Sequence, residues 1–304
     1  MGKIAFLFPG QGAQHPGMCA GLDAFDAAKS VLDAVSTIRP DALELCLNGS
    51  AEELSKTINT QPCMFMAELA AARALESLGI RAEGCAGFSL GEITALAFSG
   101  ALSDADAARL VCIRAELMQA AAEANPGAMV AVLKLPNDKV SELCDKAGAY
   151  PVNFNCPGQV TCAGKSDAID ALKPLVVDAG GRAVPLAVTG GFHSPLMHDA
   201  AVGLRAALGD FDLVEPSMPL YANRTASPYS GDFNELVATQ VENPVHWQQT
   251  IERMTADGFD TFVEVGPGKV LSGLVSRIAP DAQMLRCETA EEIRAVADEL
   301  NQEA

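Results

Sequence analysis

Gly87-Phe88-Ser89-Leu90-Gly91 matches the pattern G-x-S-x-G, in which small residues flank a serine held on a strained turn between a strand and a helix. The chemistry needs that shape. Glycines let strand and helix approach, the serine oxygen stands exposed, and the next N–H, that of Leu90, can donate to an oxyanion. A serine needs a base beside it, and the chain offers four histidines: His15, His193, His198 and His246. His15 lies in a glycine-rich loop, His198 follows His193 by about a helical turn, and His246 adjoins Trp247. His193, in Gly190-Gly191-Phe192-His193-Ser194-Pro195, sits in a loop just before a helical stretch and is the best-placed base.

Arg114 has Leu110 four residues before it and Met118 four after, so it falls on an apolar helix face. A guanidinium buried there needs a partner, and a carboxylate gripped by two N–H groups suits it. That carboxylate is either a ligand's or one of the chain's own 39 acidic side chains. Gly10-Gln11-Gly12 is no dinucleotide fingerprint, because His15 stands where the third glycine belongs. The loop either lends Gln11 or a backbone donor to an oxyanion site or is a plain tight turn. Val265-Gly266-Pro267-Gly268-Lys269 fails as a phosphate loop, with Val263 and Val270 in place of the required glycine and hydroxyl residue.

These residues must be held by surrounding elements. Residues 3–8 read as a buried central strand, and Ser50-Ala51-Glu52-Glu53 as a capping box starting a helix that Thr60-Gln61-Pro62 interrupts. A helix over 63–78 stops at Gly79; a strand over 85–88 runs into Ser89 and a helix over 93–98; Ser103 caps a helix reaching about Ala122. Between residues 127 and 186 the pattern becomes β-α-β-β-α-β, the order of a split βαβ, or ferredoxin-like, module. The fold class is therefore α/β: a core of residues 1–126 and 188–304 with a small subdomain, 127–187, inserted in it. His193 opens a helical stretch to Leu208; residues 218–221 and 261–265 read as core strands and 270–278 as a helix.

Composition excludes several classes. A net charge of −18 over 304 residues argues against nucleic acid or an anionic membrane as the main partner, though an acidic partner could still dock on a local basic patch. Nine cysteines, odd in number and with no Cys-x-x-Cys pair, read as reduced, buried small hydrophobes, and with the histidines scattered no metal is expected. The apolar start, residues 4–8, is too short for a signal or a membrane span, and Phe6 occupies the hydroxyl position of a myristoylation signal. A cytoplasmic protein is expected.

Eight motifs in order along nearly the whole chain resemble the malonyl-CoA:acyl carrier protein transacylases, acyltransferases of fatty acid and polyketide synthesis. They are Phe8-Pro9-Gly10-Gln11-Gly12, Thr60-Gln61-Pro62, Gly87-Phe88-Ser89-Leu90-Gly91-Glu92, Arg114, Pro151-Val152-Asn153-Phe154-Asn155, Gly191-Phe192-His193-Ser194-Pro195-Leu196-Met197, Asn243-Pro244-Val245 and Val263-Glu264-Val265-Gly266-Pro267-Gly268. The resemblance implies a hydrolase-like parallel-sheet core carrying a ferredoxin-like subdomain. It implies Ser89 as nucleophile, His193 as base, Gln11 and the Leu90 N–H as oxyanion hole, and Arg114 holding the malonyl carboxylate, with Gln61, Asn153 and Phe192 also in the substrate site. The histidine of this family is oriented by a backbone carbonyl, and Gln240 is the matching residue. Phe192 matches the malonyl-selective form, which implies poor use of methylmalonyl-CoA. The family usually has His before the serine where this chain has Phe88.

The implied reaction moves malonyl from malonyl-CoA to the phosphopantetheine thiol of acyl carrier protein through a malonyl-serine, with no cofactor and a monomeric enzyme expected. Arg182, Arg277 and Lys269 are candidates for docking the acidic carrier. The alternatives are a serine thioesterase or hydrolase on the same core, the acyltransferase of a polyketide pathway, and a non-catalytic carrier-binding subunit.

Overall fold

Apolar residues on both faces make residues 3–8 a strand that must be covered from two sides, as in the interior of a parallel sheet. The computed structural model describes residues 2–188 and 190–303. Its strands are β1 (Lys3–Phe8), β2 (Gly84–Gly87), β3 (Ala128–Leu133), β4 (Tyr150–Cys156), β5 (Gln159–Gly164), β6 (Arg182–Pro185), β7 (Leu220–Ala222), β8 (Ser227–Pro228), β9 (Phe259–Val265) and β10 (Gln283–Cys287). Six form one sheet in the order β10-β9-β1-β2-β7-β8, parallel throughout except for the edge pair β7-β8. The other four form a separate antiparallel sheet in the order β4-β5-β3-β6. The protein is thus mixed α/β, with a parallel core and a second sheet that packs its own apolar cluster around Val130, Leu143, Val160 and Leu172.

Parallel pairing matters because it brings the loops after β1 and β2 out at the same edge. Phe8 lies opposite Gly87, and the Phe88 N–H donates to the Phe8 carbonyl at 2.8 Å, so the Gly10-Gln11-Gly12 loop runs beside Ser89. Carboxyl ends of parallel strands are where open α/β sheets bind ligands. Helix Gly91–Phe98 leaves this edge immediately after Ser89.

The long helix behind the site differs from the expectation. It runs Thr57–Ser77 with Pro62 inside it, and the break falls at Lys56, after the five-residue helix Ala51–Ser55 whose capping box is formed as expected. A proline costs a helix its bond to the carbonyl four residues back. Here the Arg39 guanidinium donates to that carbonyl, of Ile58, at 3.3 Å, so the helix continues. His193 also differs: it stands outside any helix, which begins at His198 after the turn Pro195–Met197. The strand expected at 218–221 is Leu220–Ala222, and β10 had no counterpart in the sequence reading.

Glu264 explains the Val-Gly-Pro-Gly-Lys turn. Its buried carboxylate accepts from the Leu271 and Ser272 N–H groups, at 2.9 and 2.8 Å, at the start of helix Val270–Ile278, so the turn serves a helix terminus. Eight of the nine cysteines are buried and none forms a disulfide, as expected of small core hydrophobes. Among the described residues no helix is long and apolar enough to cross a membrane.

Candidate active site

Ser89 stands at φ 55°, a left-handed conformation at the tip of a strand-to-helix turn, and the flanking glycines make the turn possible. A Cβ on Gly87 would lie 1.9 Å from the Gly91 carbonyl carbon, and one on Gly91 would lie 2.2 Å from the Phe8 carbonyl oxygen. Strand, helix and neighbouring strand therefore touch where those side chains are missing.

The Ser89 hydroxyl is 2.7 Å from Nε2 of His193. Nδ1 of that ring faces the backbone carbonyls of Gln240 at 3.0 Å and Asn243 at 3.2 Å. Carbonyls only accept, so Nδ1 carries the hydrogen and Nε2 is left to take the serine proton. His193 is buried, its own N–H donates to the Val241 carbonyl at 2.9 Å, and its φ of 62° is a second strained position in the site. Burial, with the Arg114 charge nearby, lowers its pKa to about 4, against the raising effect of the two carbonyl bonds.

Arg114, on helix Asp104–Ala124, is 1% exposed. Its Nη1 donates to Gln61 Oε1 at 2.5 Å, and its Nη2 donates to Gln240 Oε1 at 2.8 Å and to the Ser89 hydroxyl oxygen at 3.2 Å. Its Nε has no partner among the described residues. Among the described residues the internal ion pair weighed from sequence is not present: both amide partners are neutral. Burial lowers its pKa to about 10, partly offset by Glu92, and it remains a cation at neutral pH. A buried guanidinium with N–H groups to spare and only neutral partners is an anion site in waiting.

These groups line one cavity of about 110 Å³ together with Gln11, Phe88, Leu90, Met118, Met129, Asn153, Leu186, Val188 and Phe192. Every site residue expected from sequence is in its wall except Gln240, which lies directly behind it. Asn153, on β4, has its Oδ1 buried without a partner among the described residues. Neither the Gln11 nor the Leu90 N–H is engaged by an acceptor among the described residues, and Leu90 begins the helix that follows Ser89. The Phe88 ring meets Trp247 edge-on, with centroids 5.4 Å apart. A larger cleft of about 910 Å³ lies elsewhere, near Arg277, and its lining holds no serine, cysteine or histidine. Arg277 is engaged there with the Pro157 carbonyl at 2.7 Å and the Gln159 side chain at 2.9 Å.

Sequence reasoning missed the group that holds the elbow. Asn223 accepts from the Ser89 N–H at 2.7 Å and donates to the Gly87 carbonyl at 2.6 Å, fastening both sides of the turn. Its own N–H donates to Glu92, whose carboxylate also accepts from Tyr229 and, at 2.8 Å, from the Gln240 amide. Glu92 is buried, which raises its pKa to about 7 against the lowering effect of those bonds. Glu92 was visible only as the residue closing the elbow motif; Asn223 was an ordinary polar residue after a short apolar run.

The fold and site define an α/β protein with a serine–histidine pair and a buried cation at the carboxyl edge of its parallel sheet. A model of the acyl transferase domain matches residues 5–294, and the chain belongs to that family. It is 36% identical to a malonyl CoA-acyl carrier protein transacylase of Bacillus subtilis over 313 residues, covering all of this chain and 99% of the relative. The solved structure of a malonyl CoA-acyl carrier protein transacylase from Clostridium perfringens superposes with a TM-score of 0.95 at 34% identity, covering 99% and 98% of the two chains. A malonyl-transacylase solved in complex with a type II polyketide acyl-carrier protein superposes with a TM-score of 0.93 at 33% identity, covering 98% and 99%.

Proposed function

We propose that this enzyme transfers malonyl from malonyl-CoA to the phosphopantetheine thiol of acyl carrier protein, in fatty acid biosynthesis. The observation that carries the reading is one oxygen with two neighbours: Ser89 Oγ lies 2.7 Å from a neutral imidazole nitrogen and 3.2 Å from a buried guanidinium. The first activates it, and the second selects an acyl group bearing its own carboxylate. The relatives' names and the carrier complex support the same two substrates.

In the proposed sequence His193 takes the proton of Ser89 as Oγ attacks the thioester carbonyl, and the N–H groups of Gln11 and Leu90 receive the oxyanion. His193 returns the proton to the departing CoA thiol, leaving malonyl-Ser89. The carrier thiol then gives its proton to His193 and attacks the ester, and His193 passes that proton to Oγ as the ester bond breaks, regenerating the serine and leaving malonyl on the carrier. Arg114 holds the malonyl carboxylate throughout, with Gln61 and Asn153 beside it and Phe192 bounding the pocket. These steps call on no further cofactor. We also propose a hydrolase-like core of residues 1–126 and 188–304 with a ferredoxin-like subdomain over 127–187; the β4-β5-β3-β6 order, with the first and third strands of the module central, supports the latter. A monomer in the cytoplasm is part of the same reading.

Mixing the protein with malonyl-CoA should add one malonyl group to the intact mass. Adding phosphopantetheinylated carrier should then discharge it to malonyl-carrier, whereas a thioesterase would release free malonate without waiting for carrier. An unlabelled protein would overturn the proposal.

The low basicity of His193 sets a second expectation. In kcat/KM, which reports the free enzyme, the acid limb should sit near pH 4, because the imidazole is neutral above that point. Malonyl binding neutralises Arg114 and removes one of the two effects that depress the imidazole, so the limb in single-turnover acylation should lie at higher pH. Stability follows the same group: the unfolded chain takes a proton below about 6.5 that the folded site refuses until about 4, so this contribution is complete above the first value and lost as pH falls toward the second. Stopped-flow acylation across pH 3 to 8, at low and at saturating malonyl-CoA, checks the order of the two limbs; coincident limbs would remove the coupling to Arg114.

A further inference from the structure

The Gln240 side chain touches more of the site than its backbone does. Its Oε1 accepts from Arg114 at 2.8 Å, while its Nε2 donates to the Ser89 carbonyl at 2.7 Å and to Glu92 Oε2 at 2.8 Å, with Asn223 Oδ1 at 3.4 Å. Every group at Nε2 is an acceptor and the group at Oε1 is a donor, so only one orientation of the amide satisfies its surroundings. Turning it over would set an NH₂ against the guanidinium and an oxygen against a carboxylate. Of these acceptors Glu92 carries the carboxyl group, and it has no part in the acyl-transfer steps.

We infer that Glu92 is a positioning residue for acyl selection: it holds the Gln240 amide with its oxygen toward Arg114 and so aims the guanidinium across the cavity at Ser89. The inference rests on Arg114 as the group that takes the acyl carboxylate. Glu92 is 2% exposed and lies behind the cavity wall, so it acts on the site through its partners: through Gln240 on Arg114, and through Asn223 on the Ser89 turn, whose loss would slow every acyl group alike. Its second oxygen, held by Tyr229, and its bond from the Asn223 N–H fix the carboxylate in turn. A chain of buried, fully directed hydrogen bonds of this kind transmits the loss of one member to the next.

The test is the ratio of kcat/KM for malonyl-CoA to that for acetyl-CoA. Glu92→Ala should lower the ratio about tenfold, the scale of coupling between residues in one buried network. Glu92→Gln should restore it, because its amide oxygen still accepts from Gln240 while its NH₂ donates to a Tyr229 hydroxyl turned round to accept. Gln240→Leu removes the bridge itself and should lower the ratio by the same factor, with the double variant no worse than either; it carries the test alone if Glu92→Ala does not fold. General damage to the fold would slow both substrates in parallel and leave the ratio unchanged, which would overturn the inference. So would a Glu92→Gln variant as unselective as Glu92→Ala. A wild-type enzyme without malonyl preference would instead remove the reading of Arg114 beneath it.

Discussion

Ser89→Ala should take no malonyl group from malonyl-CoA, and its transfer rate should fall by roughly 10⁵- to 10⁶-fold, the scale of loss when a nucleophile is removed from a unit it forms with its base. The variant should remain folded. Alanine carries the same Cβ into the same left-handed backbone at φ 55°, so the strain of the turn is unchanged. The hydroxyl's bonds with His193 and Arg114 are lost, at about 1 kcal/mol each, while the N–H and carbonyl of residue 89 keep their partners Asn223 and Gln240. Because Gln11 and Leu90 would still polarise a bound thioester, slow hydrolysis by water is the residual activity expected, with free malonate as its product. Intact mass and product identity check both points, and an adduct retained in this variant would move the nucleophile elsewhere.

How much of this was legible in the sequence depended on the distance over which each residue acts. The elbow was legible because its requirements are local: Gly87 and Gly91 are demanded by contacts within the turn and with β1, and the strand before and helix after have their own patterns. His193 was legible mainly because four histidines left few choices, and its helix was placed too early because Ser194 and Pro195 first make a tight turn. The apolar face around Arg114 correctly foretold burial but left its partner open, since Gln61 and Gln240 lie 53 and 126 residues away. Pro62 misled for the same reason: the donor that rescues its helix is Arg39, far back in the chain. Asn223 and Tyr229 have no local signal, and Glu92 shows only as the last residue of the elbow motif with nothing to say what it holds, because a buried polar network is a property of the packed site. The cations suggested for carrier docking were chosen by charge alone, and Arg277 proves to be tied to the β4-β5 turn.

Arg114→Ala should separate acyl selection from acyl transfer. Losing a buried charge-assisted pair costs on the order of 3–5 kcal/mol, so kcat/KM for malonyl-CoA should fall by roughly 10²- to 10⁴-fold. Acetyl-CoA has no carboxylate to lose and no longer faces an unpaired guanidinium, so its use should hold or rise. Arg114→Lys should fall between the two, because it keeps the charge but not the planar fork that meets Gln61 and Gln240 together. The base supplies an independent check. Arg114 is the charge that, after burial, depresses His193, so removing it raises the imidazole pKa, and the acid limb for acetyl-CoA should move up from about pH 4. A merely destabilised site would lose rate on both substrates without shifting that limb. If Arg114→Ala keeps its malonyl preference, the carboxylate is read by another donor in the cavity wall, and the side-chain amide N–H groups of Asn153 and Gln61 are the ones left to hold it. Gln61, whose Nε2 among the described residues meets only the Met118 sulfur, at 3.4 Å, would be the first of the two to change.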